Sequence, residues 1–535
     1  MVTMAATANK VRSFHARPSL PGRGFLSAAF SVFLAMAGVT PAHAIDWRFE
    51  RSVAAAITYT DNANHSESDP QDALILSVTP RFAARSEGSR RLNASLQYGL
   101  KGTARFGENN TENLYHNLNA AGKAELVEDF LFVDGSARVS QQLISLQGSP
   151  ADAEISDSNR ATVGTYSISP YVQKRLGSFA TAQARYTASG AIFENNVAAN
   201  SSVNTFSAGL ASGAAFNDLN WALHYSIREA VNRNDVDTTF ERASAQLGYA
   251  LTRKFRVFGT VGRDRNDYLS TTETDGSSYS VGFGWAPSRR TSVEASAGER
   301  YFGNTFSFSG SHRTRLSRWT LRYSEDVSDI TQQMLYQNNR IFWVCDGNEV
   351  IETPDSAPPS GSAKNCVGPV PAGTLEADYA EYGLTLADLA NAGLGSAAGL
   401  SARGVYIIKS LNAGVSWDVG RLGFGLSAQD TQRLYQTMGG AGDHIRRVTG
   451  SVSYRMTPKT TVNSSLSLAR SRFDPVLTGG TAREDDILSL SIGAAHRFSD
   501  DLNGALIVRH TQRNSNGLNA DYSVNSLTAT ANMRF

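Results

Sequence analysis

Apolar and polar residues alternate through most of the chain, and this pattern leaves few folds open to it. Segments of 10 to 14 residues repeat the pattern; in one of them Leu92, Ala94 and Leu96 alternate with Asn93 and Ser95. Successive side chains of a β-strand point to opposite faces, so a period of two predicts strands with one apolar and one polar face. A turn follows each segment, which predicts antiparallel hairpins.

Strand length and loop length favour a membrane barrel over a soluble sandwich. A tilted membrane strand needs about 9–11 residues, whereas soluble strands average about 5–6. Short turns such as 127–129 and 499–501 alternate with longer polar loops such as 60–72 and 230–239, as in outer-membrane barrels. We predict an all-β fold, a single antiparallel transmembrane β-barrel of about 22 strands, over residues 45–535. An even strand number places both termini on the periplasmic side.

Composition agrees with this class of membrane protein. The hydrophobic fraction is 41% and the mean hydropathy is −0.28, values that are too polar for a bundle of membrane helices. They suit a barrel, because half of each strand faces a polar interior.

The N-terminus has the order of a secretory signal peptide. Four basic residues, Lys10, Arg12, Arg17 and Arg23, precede an apolar stretch at 25–39, which is short for a membrane helix. Ala42-His43-Ala44 fits a cleavage site, so we expect residues 1–44 to be removed and the protein to reach the outer membrane of a Gram-negative bacterium. The alternative is a helical membrane anchor.

The charge balance and the absence of chemical motifs point away from other classes. Cleavage removes four of the 50 basic residues and none of the 49 acidic ones, which leaves a net charge of −3 and argues against a nucleic-acid partner. The sequence holds no HExxH pair, P-loop or G-x-S-x-G elbow, and its two cysteines do not make a zinc motif. We therefore expect no enzyme activity, cofactor or metal, although a Ser–His site assembled from distant strands stays open.

The last segment resembles an assembly signal. Leu527, Ala529, Ala531 and Met533 form an apolar face that ends on the aromatic Phe535. Outer-membrane barrels present such a C-terminal strand to the barrel-assembly machinery, which we expect as a partner alongside outer-membrane lipid and lipopolysaccharide. In a closed barrel this strand pairs with the first one.

Alternation stops at residues 328–405, which the strand count places as a long outer loop. It contains Cys345 and Cys366. In an oxidising compartment we expect a disulfide between them, worth on the order of 3 kcal/mol in the chain-entropy model; two free thiols are the alternative. Residues 375–389 could form a short amphipathic helix. Whether the loop folds into the pore or caps it is left open by the sequence.

Strand parity places a set of basic side chains on the polar, interior face. Such a lumen favours anions and predicts an anion-selective pore or an anionic polysaccharide ligand; the alternative is a ladder of cross-lumen ion pairs with acidic residues of the loops. The predicted lumen residues are Lys101, Lys123, Arg138, Arg185, Arg228, Arg242, Arg300, Arg322 and Arg509.

Residues 285–291 (WAPSRRT) and 298–303 (GERYFG), with 59–62 (YTDN) near the mature N-terminus, resemble motifs of the PEP-CTERM system-associated outer membrane proteins. The resemblance covers residues 48–535. It implies a barrel found alongside exosortase sorting and exopolysaccharide production, without established enzymatic activity.

We therefore expect a pore or scaffold associated with exopolysaccharide or PEP-CTERM surface-protein export. A general diffusion porin, biased toward anions, and a structural or adhesion barrel without an open lumen are the alternatives. A TonB-dependent receptor would share the strand number but needs an N-terminal plug domain of over a hundred residues. Here strands are expected within a few residues of the cleavage site.

Overall fold

The computed structural model describes the chain from residue 46 onward, with gaps in several loops. The described residues are 46–87, 89, 91–108, 110–148, 159–194, 200–233, 236–338, 341–345, 349–353, 367–371, 404–436, 441–475 and 481–535. The predicted signal peptide, residues 1–44, lies outside them, so its cleavage stays a prediction. Residues Ile45–Phe535 form one compact unit.

Twenty-two antiparallel strands form a single closed sheet, which confirms the predicted fold. The strands of this barrel are β1 Asp46–Thr60, β2 Ala73–Glu87, β3 Leu92–Gly107, β4 Thr111–Val127, β5 Leu131–Leu143, β6 Arg160–Leu176, β7 Ala180–Phe193, β8 Ser201–Ser212, β9 Leu219–Asn232, β10 Thr238–Thr252, β11 Phe255–Asp267, β12 Gly276–Ser288, β13 Thr291–Arg300, β14 Gly303–Arg313, β15 Ser317–Asp329, β19 Val405–Val419, β20 Leu422–Tyr435, β21 Gly442–Thr457, β22 Thr460–Phe473, β23 Arg483–Arg497, β24 Leu502–Ser515 and β25 Tyr522–Arg534.

The first and last strands close the barrel. β1 pairs with β25 from Ser52↔Arg534 to Thr60↔Ser526. Inside the lumen the hydroxyls of Thr58 and Thr528 lie 2.9 Å apart across this seam. Closure leaves no sheet edge in the hydrocarbon, where unpaired backbone groups would each cost several kcal/mol.

The two faces of the wall have inverted polarity compared with a soluble protein. On β1, Ile57 and Tyr59 are exposed on the outside, while Thr58 and Thr60 are buried on the inside. The same alternation recurs around the barrel, so its outer surface is apolar and its inner surface is polar. This arrangement suits a lipid exterior, and the protein is an outer-membrane barrel in contact with the lipid of a Gram-negative outer membrane.

Among the described residues, no helix combines the length and the apolarity needed to span a membrane.

The long loop begins and ends where the strand count placed it, between Asp329 of β15 and Val405 of β19. It opens with one helix, α1, Ile330–Asn338, and contains a small three-stranded sheet of β16 Ile341–Cys345, β17 Glu349–Thr353 and β18 Val367–Pro371. Neither was predicted. The expected helix at 375–389 and Cys366 lie outside the described residues, so that helix and the Cys345–Cys366 disulfide stay predictions.

One outer connection, between β13 and β14, is very short. Arg300 of β13 pairs with Gly303 of β14, and only Tyr301 and Phe302 stand between them. Gly303 has a φ of 113°, a conformation that side chains other than hydrogen rarely adopt. The glycine therefore permits the tight reversal.

Candidate functional site

The outer mouth of the barrel is the candidate site, because folded segments cross it. Strands about 4.8 Å apart and tilted by about 40° give a barrel of this strand number a backbone diameter of roughly 40 Å, which is wide enough for an aqueous channel. We call the crossing segments the outer cap: loop Ile144–Gly148 after β5, the tip Asp326–Asp329 of β15, and α1.

The tip of β15 reaches the inner wall at β9, six strands away around the sheet. Nη1 and Nη2 of Arg228 donate to the two carboxylate oxygens of Asp329 at 2.5 and 3.2 Å. Both side chains are about nine-tenths buried, and the ring of Phe240 lies 5.5 Å from the guanidinium carbon. A bidentate, desolvated ion pair fixes both position and orientation, so Arg228 and Asp329 form a latch.

Asp329 also starts the helix. Its Oδ1 accepts a hydrogen bond from the backbone N–H of Gln332 at 2.8 Å, the usual role of an aspartate at a helix N-cap. One carboxylate thus lies at the end of β15, caps α1 and holds the tip against the wall at β9.

The helix docks on the lumen side of β6, β7 and β8. The hydroxyls of Thr331 and Ser201 are 2.9 Å apart. Met334 is 1% exposed, in a cluster with Ala161, Val163, Ala191 and Phe193. These apolar side chains face inward, against the polar rule for the lumen, because the helix covers them.

A second crossing starts at β5 and ends at β23 and β24. The carbonyl of Gln147 accepts hydrogen bonds at 2.9 Å from both Arg483 and Arg513, and the carbonyl of Gly148 accepts one from Arg513 at 2.7 Å. Arg483 and Arg513 are themselves held by the buried carboxylate of Asp485. Two guanidinium groups, both held by Asp485, therefore bind this loop through its carbonyls.

The return of the long loop into β19 is anchored in the same region. The hydroxyl of Tyr406 donates to Oε1 of Gln333 on α1 at 2.5 Å. Beneath it, Arg433 pairs with Asp443 at 3.2 Å, and the hydroxyl of Tyr435 donates to the same carboxylate at 2.9 Å. These buried contacts tie the helix to the wall on both sides of the mouth.

The nine predicted lumen residues lie at inward positions, and several meet acids. Arg185 pairs with Asp134 at 2.8 Å, and Arg300 and Arg242 both approach Asp264, at 3.0 and 3.9 Å. These acids lie on the wall strands β5 and β11 and not in the loops, so the pairs differ from the predicted ladder of cross-lumen pairs with loop acids.

The remaining predicted residues differ in burial. Arg138 is 2% exposed, and its Nε donates to Asn119 at 3.0 Å. Lys101 and Arg509 are also buried. Lys123 and Arg322 are exposed inside the lumen, Lys123 beside the ring of Phe132 at 5.6 Å. The positions of these residues do not test whether the lumen selects anions, so anion selectivity stays a prediction.

Sequence reasoning missed the carboxylates that organise the cap. Asp329 and Asp485 carry no signal of their own, because their partners lie far away in the sequence. The residues 329–334 (DITQQM) do hold a signal for a helix start, an aspartate before residues without Gly or Pro.

Across the described parts of the chain, no three His, Cys, Asp or Glu side chains come together as possible metal ligands. The expectation of a non-enzymatic protein without cofactors stays a prediction.

No family model matches the chain, and no curated protein matches it. The resemblance to the PEP-CTERM-associated proteins therefore stays a prediction, as does an anionic polysaccharide partner.

Solved outer-membrane barrels are similar to the chain. The siderophore receptor PirA from Acinetobacter baumannii is 8% identical, with a TM-score of 0.49 over 92% of this chain and 81% of the receptor. A variant of the ferric enterobactin receptor PfeA from Pseudomonas aeruginosa is 11% identical, with a TM-score of 0.47 over 91% and 80%. The FrpB iron transporter from Neisseria meningitidis is 10% identical, with a TM-score of 0.48 over 91% and 82%.

The expected function needs correction. An exopolysaccharide-linked pore or scaffold, a general diffusion porin and a structural barrel were predicted, whereas these similar structures are siderophore receptors and an iron transporter. The functional prediction was therefore wrong, because strand parity predicts the wall of a barrel but carries no information on its function.

Proposed function

We propose that the protein is a gated transport barrel, which carries a selected solute across the outer membrane when its cap is displaced. The observation that carries the proposal is the outer cap, whose two crossings meet the inner wall six or more strands from their origins. With a cap of this kind, a solute passes through the lumen only when a ligand has displaced the cap.

The contacts of the cap suit a device that opens. The latch between Arg228 and Asp329 is an ion pair, and the second crossing is held by hydrogen bonds to two carbonyls. Among the described residues of the cap, Met334 and Val327 each enter an apolar cluster, and the other contacts named above are polar. Polar contacts can be exchanged for contacts with a polar ligand, so a ligand that competes for Arg228 or Arg513 would shift the cap toward an open state.

Permeability of whole cells tests this proposal. We expect cells producing the Arg228→Ala, Arg513→Ala double variant to become several-fold more sensitive to vancomycin, a hydrophilic antibiotic that ordinary porins exclude. Cells producing the unchanged protein should show no added sensitivity. Arg470→Ala is the matched control, because Arg470 pairs with Asp486 on the outer face and leaves the cap untouched.

Two outcomes would contradict the gated barrel. Equal sensitisation by the unchanged protein and the double variant would mean that the lumen is already open. No sensitisation by the double variant, at equal amounts of folded barrel in the membrane, would mean that the cap does not control passage.

We infer further that insertion depends on the barrel-assembly machinery and on the last strand. The apolar face of β25 is exposed to the outside at Leu527 and Met533, and the terminal Phe535 is 73% exposed. The backbone N–H of Phe535 bonds to the carbonyl of Arg51, at the base of the closing seam. Phe535 thus lies beside the seam at which β25 pairs with β1.

Deletion of Phe535 is expected to lower the amount of barrel in the outer membrane several-fold, with unfolded chain accumulating in the periplasm. Heat-modifiable migration on gels measures the folded fraction. Deletion of Leu518, which is exposed at the tip of an outer loop, is the control and should leave insertion unchanged. Normal insertion without Phe535 would remove the inferred role.

A further inference from the structure

The barrel wall has a slit between β14 and β15. Pairing of these strands runs from Arg313↔Arg318 up to Phe308↔Tyr323 and stops there. Above that point Gly303–Ser307 continues to pair with β13, and Ser324–Asp329 continues to pair with β19. The two strands therefore diverge over about five residues, or roughly 16 Å of strand.

The divergence follows from the cap. The tip of β15 bends toward β9 to make the latch, while the short β13–β14 connection stays in the wall. Arg300 of β13 spans the gap, since its Nη1 donates to Asp326 of β15 at 2.9 Å. The N–H of Val327 bonds to Oδ1 of Asp326 at 2.8 Å and has no partner strand on that side among the described residues.

The slit lies at the level of the outer leaflet. Trp319 and Trp417 meet edge to face near the periplasmic end, where aromatic girdles mark the membrane surface. Tilted strands rise about 2.5 Å per residue along the membrane normal, and the apolar band is about 25 Å tall. His312 lies opposite Trp319, so Ser307, five residues further, is roughly 12 Å up, and Gly303 is near the top of the band.

Unpaired strand edges facing hydrocarbon are unfavourable, so the slit needs an occupant or water. Its outer flanks are aromatic: Phe306 is half exposed, and Tyr323 lies at the base. At the upper corner Tyr301 packs against Phe302 and shares a hydrogen bond with Tyr268. Burial raises the pKa of Tyr268 and of Tyr301, so both remain neutral hydroxyls.

The lumen side of the slit is polar and basic. Arg322 lies just below the base, opposite Ser309 and exposed to the lumen. No described acidic side chain lies within ion-pair distance of it. Arg313 and Arg318 follow further down the same wall.

We propose that the slit is a lateral portal through which an anionic amphiphile passes between the outer leaflet and the lumen. Its acyl chain would lie between Phe306 and Tyr323, and its carboxylate or phosphate head would meet Arg322. The portal extends the proposed transport function and names a substrate class for it.

A second divergence supports the choice of the β14–β15 slit. Pairing of β4 with β5 stops at Leu118↔Val139, although both strands continue outward. There, however, β18 of the loop sheet lies against β4. No described strand pairs with the facing edges of β14 and β15 in that way, although Tyr268, Tyr301 and Phe302 pack in one cluster with Val327 at the upper end of the slit.

Fluorescence quenching in phospholipid nanodiscs tests the portal. Bimane is attached to Ser311→Cys, which faces the lumen below the slit, or to Gln246→Cys, which faces the lumen where β9, β10 and β11 pair without a gap. Both variants carry Cys345→Ser and Cys366→Ser. The probe is 5-doxyl-stearate, and iodide measures exposure to water.

We expect the stearate probe to quench bimane at Ser311→Cys several-fold more than at Gln246→Cys, after correction for iodide access. Arg322→Gln should weaken the apparent affinity for 5-doxyl-stearate about tenfold but not that for its methyl ester, which lacks the charge. Arg318→Gln is the matched control, on the same strand and face but four residues further from the slit.

Equal quenching at both positions, or an Arg322→Gln variant that binds stearate normally, would overturn the portal. A concentration-dependent dimer without quenching would instead assign the slit edges to a second copy of the chain. Sensitivity of the cap variants to vancomycin does not depend on this test, so the portal can fail while the gated barrel stands.

Discussion

Replacing residues 330–403 by a short Gly–Ser link, in combination with Arg228→Ala, is expected to raise the conductance of the barrel in planar bilayers by an order of magnitude or more. The change removes α1 and frees the tip of β15, which together make the longer crossing of the mouth. Asp329 and Val405 pair directly, so a tight turn can join β15 to β19 without disturbing the wall. A lumen this wide then conducts.

The control for this experiment shortens an outer loop outside the cap, at residues 476–480 between β22 and β23. This change should leave the conductance at the level of the unchanged protein. If the conductance stays the same when residues 330–403 are removed, other segments close the lumen. That result would contradict the assignment of the cap.

The second large effect concerns the face that meets lipid. Val281 of β12 is 68% exposed on the outer wall, at the middle of a strand that pairs continuously on both sides there. Val281→Arg is expected to destabilise the folded barrel by about 2–4 kcal/mol, because a guanidinium group is placed in hydrocarbon. Urea titration of folding into lipid vesicles measures this change in the free energy of unfolding.

Ser280→Arg is the matched variant, one residue away on the lumen face. Its free energy of unfolding should change by less than about 1 kcal/mol, because the new charge meets a polar, hydrated interior. Equal destabilisation by the two variants would mean that the wall does not separate lipid from water at β12, and the inside-out polarity would be wrong.

Much of the barrel was predictable because its rules are local. Alternation along the strand from Leu92 to Leu100 requires no knowledge of distant residues, and it gave the strand number and the side of the wall on which Arg185 and Arg228 lie. The long loop between Asp329 and Val405 was visible as an interruption of the same pattern.

The cap could not be predicted in the same way, because its contacts join distant parts of the chain. Asp329 contacts Arg228, and Gln147 contacts Arg513, because the closed barrel brings these residues together. Nothing in the sequence distinguishes Met334 from other apolar residues of the loop. Only the structure shows that it packs against the inward-facing Val163. The slit likewise depends on the bend of β15, which periodicity does not encode.

Disulfide trapping can show directly whether α1 lies on the inner wall at β8, seven strands away from β15, the strand that it follows. The hydroxyls of Ser201 and Thr331 are 2.9 Å apart, so cysteine side chains at these two positions meet each other. In intact cells, with Cys345 and Cys366 replaced by serine, Ser201→Cys with Thr331→Cys should cross-link nearly completely, whereas Ser465→Cys on β22 with Thr331→Cys should not. Absence of the first cross-link in folded, membrane-inserted protein would contradict the capped barrel.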